Sequence, residues 1–271
     1  MKYLLRDDAP ITTDLWKKID EAVVKTAQNV LTGRRFLHLF GPLGIGVTSI
    51  NVDDSEKLDE VVKDGYIRTV GRKFVAIPAL YDDFTLFGKD LEYSEKNGYP
   101  VDLSKVITSA ETCALKEDRL IFFGHKDLGC EGLLTEPGTQ KIKRNDWSTG
   151  EFAFTDVAAA IQLLTSKGIY GTFSLAVSPD LYLQMQRIQH GTGMLEIERI
   201  GKLLKGNIYN SPVLGKSKAV LVCADPRYMD LVIGQDMTAA FLESVSLNHN
   251  FRILETLLLR IKRKEAIVVF E

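Results

Sequence analysis

Apolar residues recur at three- and four-residue spacings between Asp14 and Thr32, where Leu15, Ile19, Ala22, Val23, Ala27, Val30 and Leu31 form one stripe. Such a period predicts an amphipathic helix, because those positions fall on a single helical face. Thr12, Thr13 or Asp14 can cap its start, Gly33 can end it, and Arg34 and Arg35 suit the negative end of its dipole. A second stripe of Leu103, Val106, Ile107, Ala110, Cys113 and Ala114 predicts a helix from near Asp102 or Ser104 to about Leu120, with Glu111, Lys116 and Asp118 off its apolar face. Phe152 to Lys167 reads as a third helix and YGTFSLAVS as a buried strand. Asp180 to Gln189 and Met194 to Leu204 also have helical spacing, with QHGTG between them as a turn or exposed loop.

The remaining pattern is extended. FLHLFGPLGIGVTSINV carries β-formers broken by Gly41, Pro42, Gly44 and Gly46, and the acidic DDSEKLDEVVKDG after it reads as a solvated loop. Tyr66 to Tyr93 is again rich in β-formers and is interrupted by Pro78, which predicts strands, one of them at an edge. Together these predict two extended arms around a loop tip. In Phe251 to Lys262, Arg252, Arg260 and Lys262 share one parity and Phe251, Ile253, Leu257, Leu259 and Ile261 the other, which favours a strand over a helix. The mixture is α+β and not a regular βαβα series, so a doubly wound sheet is not the expected fold.

Composition narrows the function more than the fold. The 271 residues carry 34 Lys+Arg against 36 Asp+Glu, a net charge of -2, which leaves no basic excess for a nucleic-acid backbone. No apolar run approaches the roughly 20 residues that span a bilayer, and MKYLLRDDAP lacks the apolar stretch of a secretion signal, so a cytoplasmic location without membrane partners is expected. Cys113, Cys130 and Cys223 have no CxxC spacing and read as reduced, buried thiols. GPLGIGVTS lacks the third glycine of a dinucleotide fingerprint, and NSPVLGKS has Asn210 where a phosphate loop begins with glycine. His125, Asp127 and Cys130 share a glycine-rich loop, but closeness in sequence is no warrant for a thiol dyad. Trp16 and Trp147 read as packing anchors. Residues alone therefore offer no active site, no metal site and no cofactor.

Longer phrases carry a resemblance. RDDAPIT precedes the first helix, LTGRRF closes it and GPLGIGV follows; then come IPALYDDFTL, EDRLIFFG, GLL after Cys130, LAVSPDLY, GMLEIERI, DMTAAFL, NHNFRILETLLLRIK and EAIVV. In this order, from Arg6 to Val269, they resemble encapsulin shell proteins, formerly grouped as linocin-type bacteriocins. The resemblance implies the Hong Kong 97 phage major-capsid-like fold, with a peripheral domain built on a spine helix, an axial domain and an extended loop. On that plan residues 1–46 are a cargo-docking helix and lead-in, 47–80 the extended loop and arms, 81–133 the peripheral domain with its spine helix, 134–224 the axial domain, and 225–271 strands returning to the peripheral domain.

It also implies a self-assembling icosahedral nanocompartment of sixty subunits or a multiple. Such a shell encloses an enzyme bound through a short C-terminal peptide on the cargo. Ferritin-like proteins are the commonest companions and dye-decolorising peroxidases the next, in iron storage or oxidative-stress defence. The shell itself is expected to be structural. A phage or prophage major capsid protein shares the fold but usually has a long scaffolding segment before it, whereas a capped amphipathic helix begins here by about Asp14. A protease or bacteriocin-type enzyme is the third reading, since relatives have borne those descriptions.

By position, the implied cargo groove uses Val24, Ala27, Val30 and Leu31, then Arg34, Phe36 and His38, with support from Phe251 and Leu254. Val24 and Leu31 would bury apolar side chains of the cargo tail, and Arg34 would hydrogen-bond its carbonyls. His38 stands where some relatives have an acidic residue. The same stripe is also the natural face to close the subunit core, and it cannot be wholly both. The 189–193 loop aligns with the segment around the fivefold opening of related shells, so His190, Gly191 and Thr192 are expected at a pore. Gly88 and Lys89 stand where a flavin-contacting Trp is often found, and no bound flavin is expected.

Overall fold

In the computed structural model, which describes residues 2–52, 58–188, 191 and 193–271, the first stripe becomes helix α1 (Thr13–Val30). Thr12 caps it by accepting the Leu15 amide at 3.2 Å, one of the cap residues expected. Gly33 has a different task from the helix terminator expected. Leu31 already turns extended (φ -58, ψ 125), and a Cβ at Gly33 would strike the Ile121 side chain. Its missing side chain lets the next helix come close.

Strands β1 (Leu39–Phe40), β2 (Ser49–Asn51), β3 (Asp59–Lys63), β4 (Tyr66–Val70), β5 (Phe74–Ala76) and β6 (Ala79–Phe87) follow. β2 pairs with β5 and β3 with β4, so two extended arms lead to a hairpin, and every residue of β3 is exposed. Residues 88–93 depart from the extended reading: Gly88–Asn97 is helix α2, which buries no residue fully and leans only Leu91 on the core. With so few apolar positions, GKDLEYSEKN has no stripe to reveal it.

Helix α3 (Ser104–Phe123) is the spine between two cores. Val106, Ala110 and Cys113 on its first half meet Leu15, Trp16 and Ile19 of α1. Leu120, Ile121 and Phe122 on its last turns join the larger cluster, with Trp147, Leu175 and Leu221. The helix ends at Gly124 (φ 64), where a Cβ would run into the Cys130 carbonyl. Beyond it lie β7 (Gln140–Ile142), α4 (Phe152–Ser166), β8 (Phe173–Val177), α5 (Pro179–Gln184), α6 (Glu196–Leu203), β9 (Ile208–Asn210) and β10 (Ala219–Cys223). A long hairpin of β11 (Met229–Val245) and β12 (Asn248–Ile261) and the strand β13 (Ile267–Phe270) complete the chain.

One sheet runs β1-β11-β12-β6 and lies over α1 and the first half of α3; the other runs β7-β13-β10-β8-β9. β13 sits between β7 and β10, so the last strand belongs to the five-stranded sheet and does not return to the spine-helix side with the rest of 225–271. IVVF is apolar at every position, as a strand buried on both faces requires. In β12 the parity reading holds, with Phe251 and Ile253 fully buried and Arg252 on the other face, bonded to Asp83 at 2.6 and 2.8 Å.

Phe251 anchors the smaller core. It stacks on Phe84 at 5.2 Å and meets the edges of Phe241 at 5.5 Å and Trp16 at 5.6 Å. Phe251→Ala is expected to cost about 3 to 5 kcal/mol by removing that ring and leaving a cavity. Urea unfolding followed by tryptophan fluorescence checks it, with Phe251→Leu losing much less.

Candidate cargo-docking groove

The end of α1 is held by acids on α3 and on the sheet. Asp118, fully buried, accepts the Thr32 amide at 2.9 and 3.1 Å and the Gly33 amide at 2.9 Å. It thereby serves the backbone just beyond α1, and lies inside the molecule, not off the helix's apolar face as its spacing suggested. Burial pushes its carboxyl up to about 6, against the pull of those amides. Arg35 reaches back to the Asn29 carbonyl at 3.0 Å, as a cation at a helix C-terminus should.

Arg34 turns the other way. Its Nε donates to Glu117 at 2.7 Å, Nη2 to Glu117 at 2.9 Å and to Glu255 at 3.0 Å, and Nη1 to Asp236 at 2.6 Å. Glu117 comes from α3, Asp236 from β11 and Glu255 from β12, so one guanidinium joins three elements to the end of α1. Burial alone lowers the pKa of Arg34, but the hydrogen bonds and charges of its acids outweigh it and keep the group protonated. Burial, then the charge on Glu117, pushes Glu255 well above the ordinary carboxylate range.

Above this network lies a groove of about 310 Å³. Val23, Val24, Ala27 and Leu31 of α1 and Met237 of β11 form its apolar wall; Gln28, Arg34, Arg35 and Asp236 form its polar part. Val24 is 51% exposed and Leu31 only 5%, so the stripe divides between groove and core. Val23 and Ala27 lie between the two roles, since both also pack in core clusters.

Of the residues assigned by position, the groove gathers Val24, Ala27, Leu31 and Arg34. Arg34 is engaged by carboxylates and is not a free donor for a peptide carbonyl. Val30 packs on the cluster of Ala27, Leu31 and Ala114. Phe36 leans on Phe122 at 6.4 Å and Tyr209 at 5.4 Å, away from the groove. His38 is exposed beside β1, its carbonyl accepting the Leu231 amide at 2.8 Å. Phe251 is fully buried and Leu254 packs with Leu4 and Ala240, so both support the sheet and present no docking surface. Asp236 and Met237 were not foreseen: they come from β11, more than two hundred residues along the chain, and only tertiary structure brings them here.

His190 and Thr192 lie outside the described residues. Gly191 has φ 83, and a bridge between Ile188 and Leu195 closes the base of the loop. His125 and Cys130 are joined by backbone hydrogen bonds, and burial raises the Cys130 thiol pKa, the reverse of what a nucleophile needs. Among the described residues no cluster of metal-ligating side chains occurs, and no helix is long and apolar enough to cross a membrane.

A spine helix shared by two cores, a long hairpin sheet, a second sheet and a projecting arm define a capsid-type subunit. Residues 1–258 match the family described as encapsulating protein for peroxidase, and the chain belongs to that family. A type 1 encapsulin shell protein, EncA of Myxococcus xanthus (strain DK1622), is 36% identical over 99% of this chain and 96% of its own length. The virus-like particle subunit of Pyrococcus furiosus superposes with a TM-score of 0.77 at 23% identity, covering 96% of this chain and 100% of that one. The capsid protein of Myoviridae phage XM1 follows the same course with a TM-score of 0.65 at 13% identity, over 88% and 90% of the two chains. The fold is thus the phage capsid-like one expected, and the protein is an encapsulin shell subunit that assembles with copies of itself, a structural protein and not an enzyme.

Arg34→Ala is expected to destabilise the subunit by about 3 to 5 kcal/mol, because it strands Glu117 and Glu255 without their cation. Arg34→Lys should recover little, since a point charge cannot replace the planar fork. Thermal unfolding and the yield of assembled shells measure both.

Proposed function

We propose that the groove at the end of α1 binds the C-terminal peptide of a cargo protein and retains that protein inside the shell. The observation that carries this reading is an apolar wall left open beside the α1 end, where Val24 is half exposed although its neighbours on the stripe are covered. A peptide laying one or two aliphatic side chains there buries apolar surface that folding alone leaves wet. Asp236, with its side chain 60% exposed, and Arg35 supply polar partners along the rim.

The shell is read as sixty subunits or a multiple, in the cytoplasm. Its cargo is read as a ferritin-like protein or a dye-decolorising peroxidase, and its role as iron storage or oxidative-stress defence. The family description, which names a peroxidase, supports the second cargo. His190, Gly191 and Thr192 are read as the lining of an opening where copies of the 189–193 loop converge.

Val24→Asp is the clean test of the groove, because Val24 is exposed and the shell should assemble without it, whereas Leu31→Asp would also disturb the cluster with Ala27 and Ala114. Losing one buried aliphatic contact of roughly 1.5 to 3 kcal/mol should weaken docking about tenfold to a hundredfold. The measurement is reporter per particle, with a fluorescent protein bearing the tail of the cargo encoded beside this chain, coexpressed with parent or variant. Intact Val24→Asp shells that load as the parent does would place docking elsewhere.

The pore reading has its own measure. Protonating a ring of His190 near its reference pKa of about 6.5 adds positive charge at one constriction, so cation entry should slow below that pH in the parent and not in His190→Ala.

A further inference from the structure

We infer that Glu255, together with Glu117, is a positioning residue for the docking groove: the two carboxyl groups share one proton, and that proton keeps Arg34 and the end of α1 seated against α3 and β12. The consequence for docking rests on the groove reading above; the proton-sharing itself stands on the cluster alone.

Two carboxyl groups from different elements converge on one nitrogen, Arg34 Nη2 lying 2.9 Å from Glu117 Oε2 and 3.0 Å from Glu255 Oε2. Both glutamates are fully buried, and each has an oxygen on that one nitrogen. Two ionised carboxylates on one nitrogen leave a buried negative charge that a single guanidinium cannot balance, and a proton on one of them removes it. Oε1 of Glu255 is buried and meets no hydrogen-bond partner among the described residues, so nothing beside it would stabilise a second full charge.

The surrounding charges do not supply the missing compensation. Arg34 is the cation that the pair touches, and it is shared with Asp236 of β11. Asp118 of α3 adds a further acid. Cys113, also on α3, is a neutral thiol whose pKa burial pushes up to about 12. Lys116 turns outward to Asp82 and the Tyr81 carbonyl on β6, Asp83 is taken by Arg252, and Arg35 is spent on the α1 carbonyls. A proton between the glutamates is therefore the neutralising group this junction has to use.

The sign of the pH effect follows. Burial, reinforced by Glu117, sets the folded-state pKa of Glu255 above the unfolded value of about 4.3. The proton-linked stabilisation is complete below that unfolded value and is lost as pH rises through the folded one. Asp118, raised to about 6, acts in the same direction. Once the shared proton leaves, two buried anions face each other across one guanidinium. The junction relieves this by parting β12 from α3 or admitting water. Arg34 lines the groove and moves with it, as does Leu31 three residues before it.

Hydrogen exchange of the amides between Ala27 and Arg35, measured on assembled shells from pH 5.5 to 9 and corrected for the intrinsic rate, tests this without any cargo. Parent shells should lose protection by up to about tenfold for each pH unit of the scan that lies between the unfolded and folded pKa values. Glu255→Gln, which keeps the shape and removes the ionisation, should leave only the loss that Asp118 contributes up to about pH 6 and a flat profile above it; if it fails to assemble, Glu117→Gln should shift the parent's loss to lower pH, since it removes the neighbouring charge and not the burial. A flat parent profile, or Gln shells that track the parent, would overturn the inference. Binding of a synthetic peptide of the reporter's tail, measured over the same scan, separates the two readings. Weaker binding at high pH in the parent alone supports both. Exchange that responds while binding does not would overturn the groove assignment and leave the proton-sharing in place.

Discussion

One guanidinium holds the architecture around the groove together. Arg34 lies in the turn just beyond α1, and its partners come from α3, β11 and β12, so the helix end, the spine and the hairpin sheet meet at a single charge. Ion pairs on the surface contribute little, but a buried cation with buried acids is costly to break because either side is left without solvent. Few apolar contacts could fix the same geometry, because hydrophobic burial is non-directional whereas a planar fork dictates where each carboxylate must sit.

That fixed junction lets α1 serve two masters. Its inner face, with Ile19 fully buried and Val23 nearly so, closes the core against α3 and the sheet. Beside that face Val24 stands half exposed, while Leu31 at the helix end stays covered. An aliphatic stripe of this kind reads identically whether it faces a core or a ligand.

This explains which parts of the molecule were legible in the sequence. α1, α3 and α4 announce themselves because many apolar positions recur at the helical period, and β12 because arginines and aliphatics separate by parity. α2 stayed hidden, since a helix that buries nothing writes no period. The position of β13 was illegible for another reason: IVVF declares a buried strand but not which sheet receives it, and its neighbours β7 and β10 are set by long-range pairing. Asp118 was misplaced because its partners are backbone amides at the end of another helix. Half of the groove was visible as a stripe, while its second wall, Asp236 and Met237, depends on a strand brought from far along the chain. The family phrases located the function; the residues taken singly did not.

The cysteines acquire a meaning once the chain is seen as a container wall. Cys113, Cys130 and Cys223 are all buried, and burial raises the pKa of each thiol, to about 12 for Cys113 and about 11 for Cys223. Oxidants attack the thiolate, and these groups stay protonated far above neutral pH. Built this way, the subunit contributes no readily formed thiolate to the wall that its copies make.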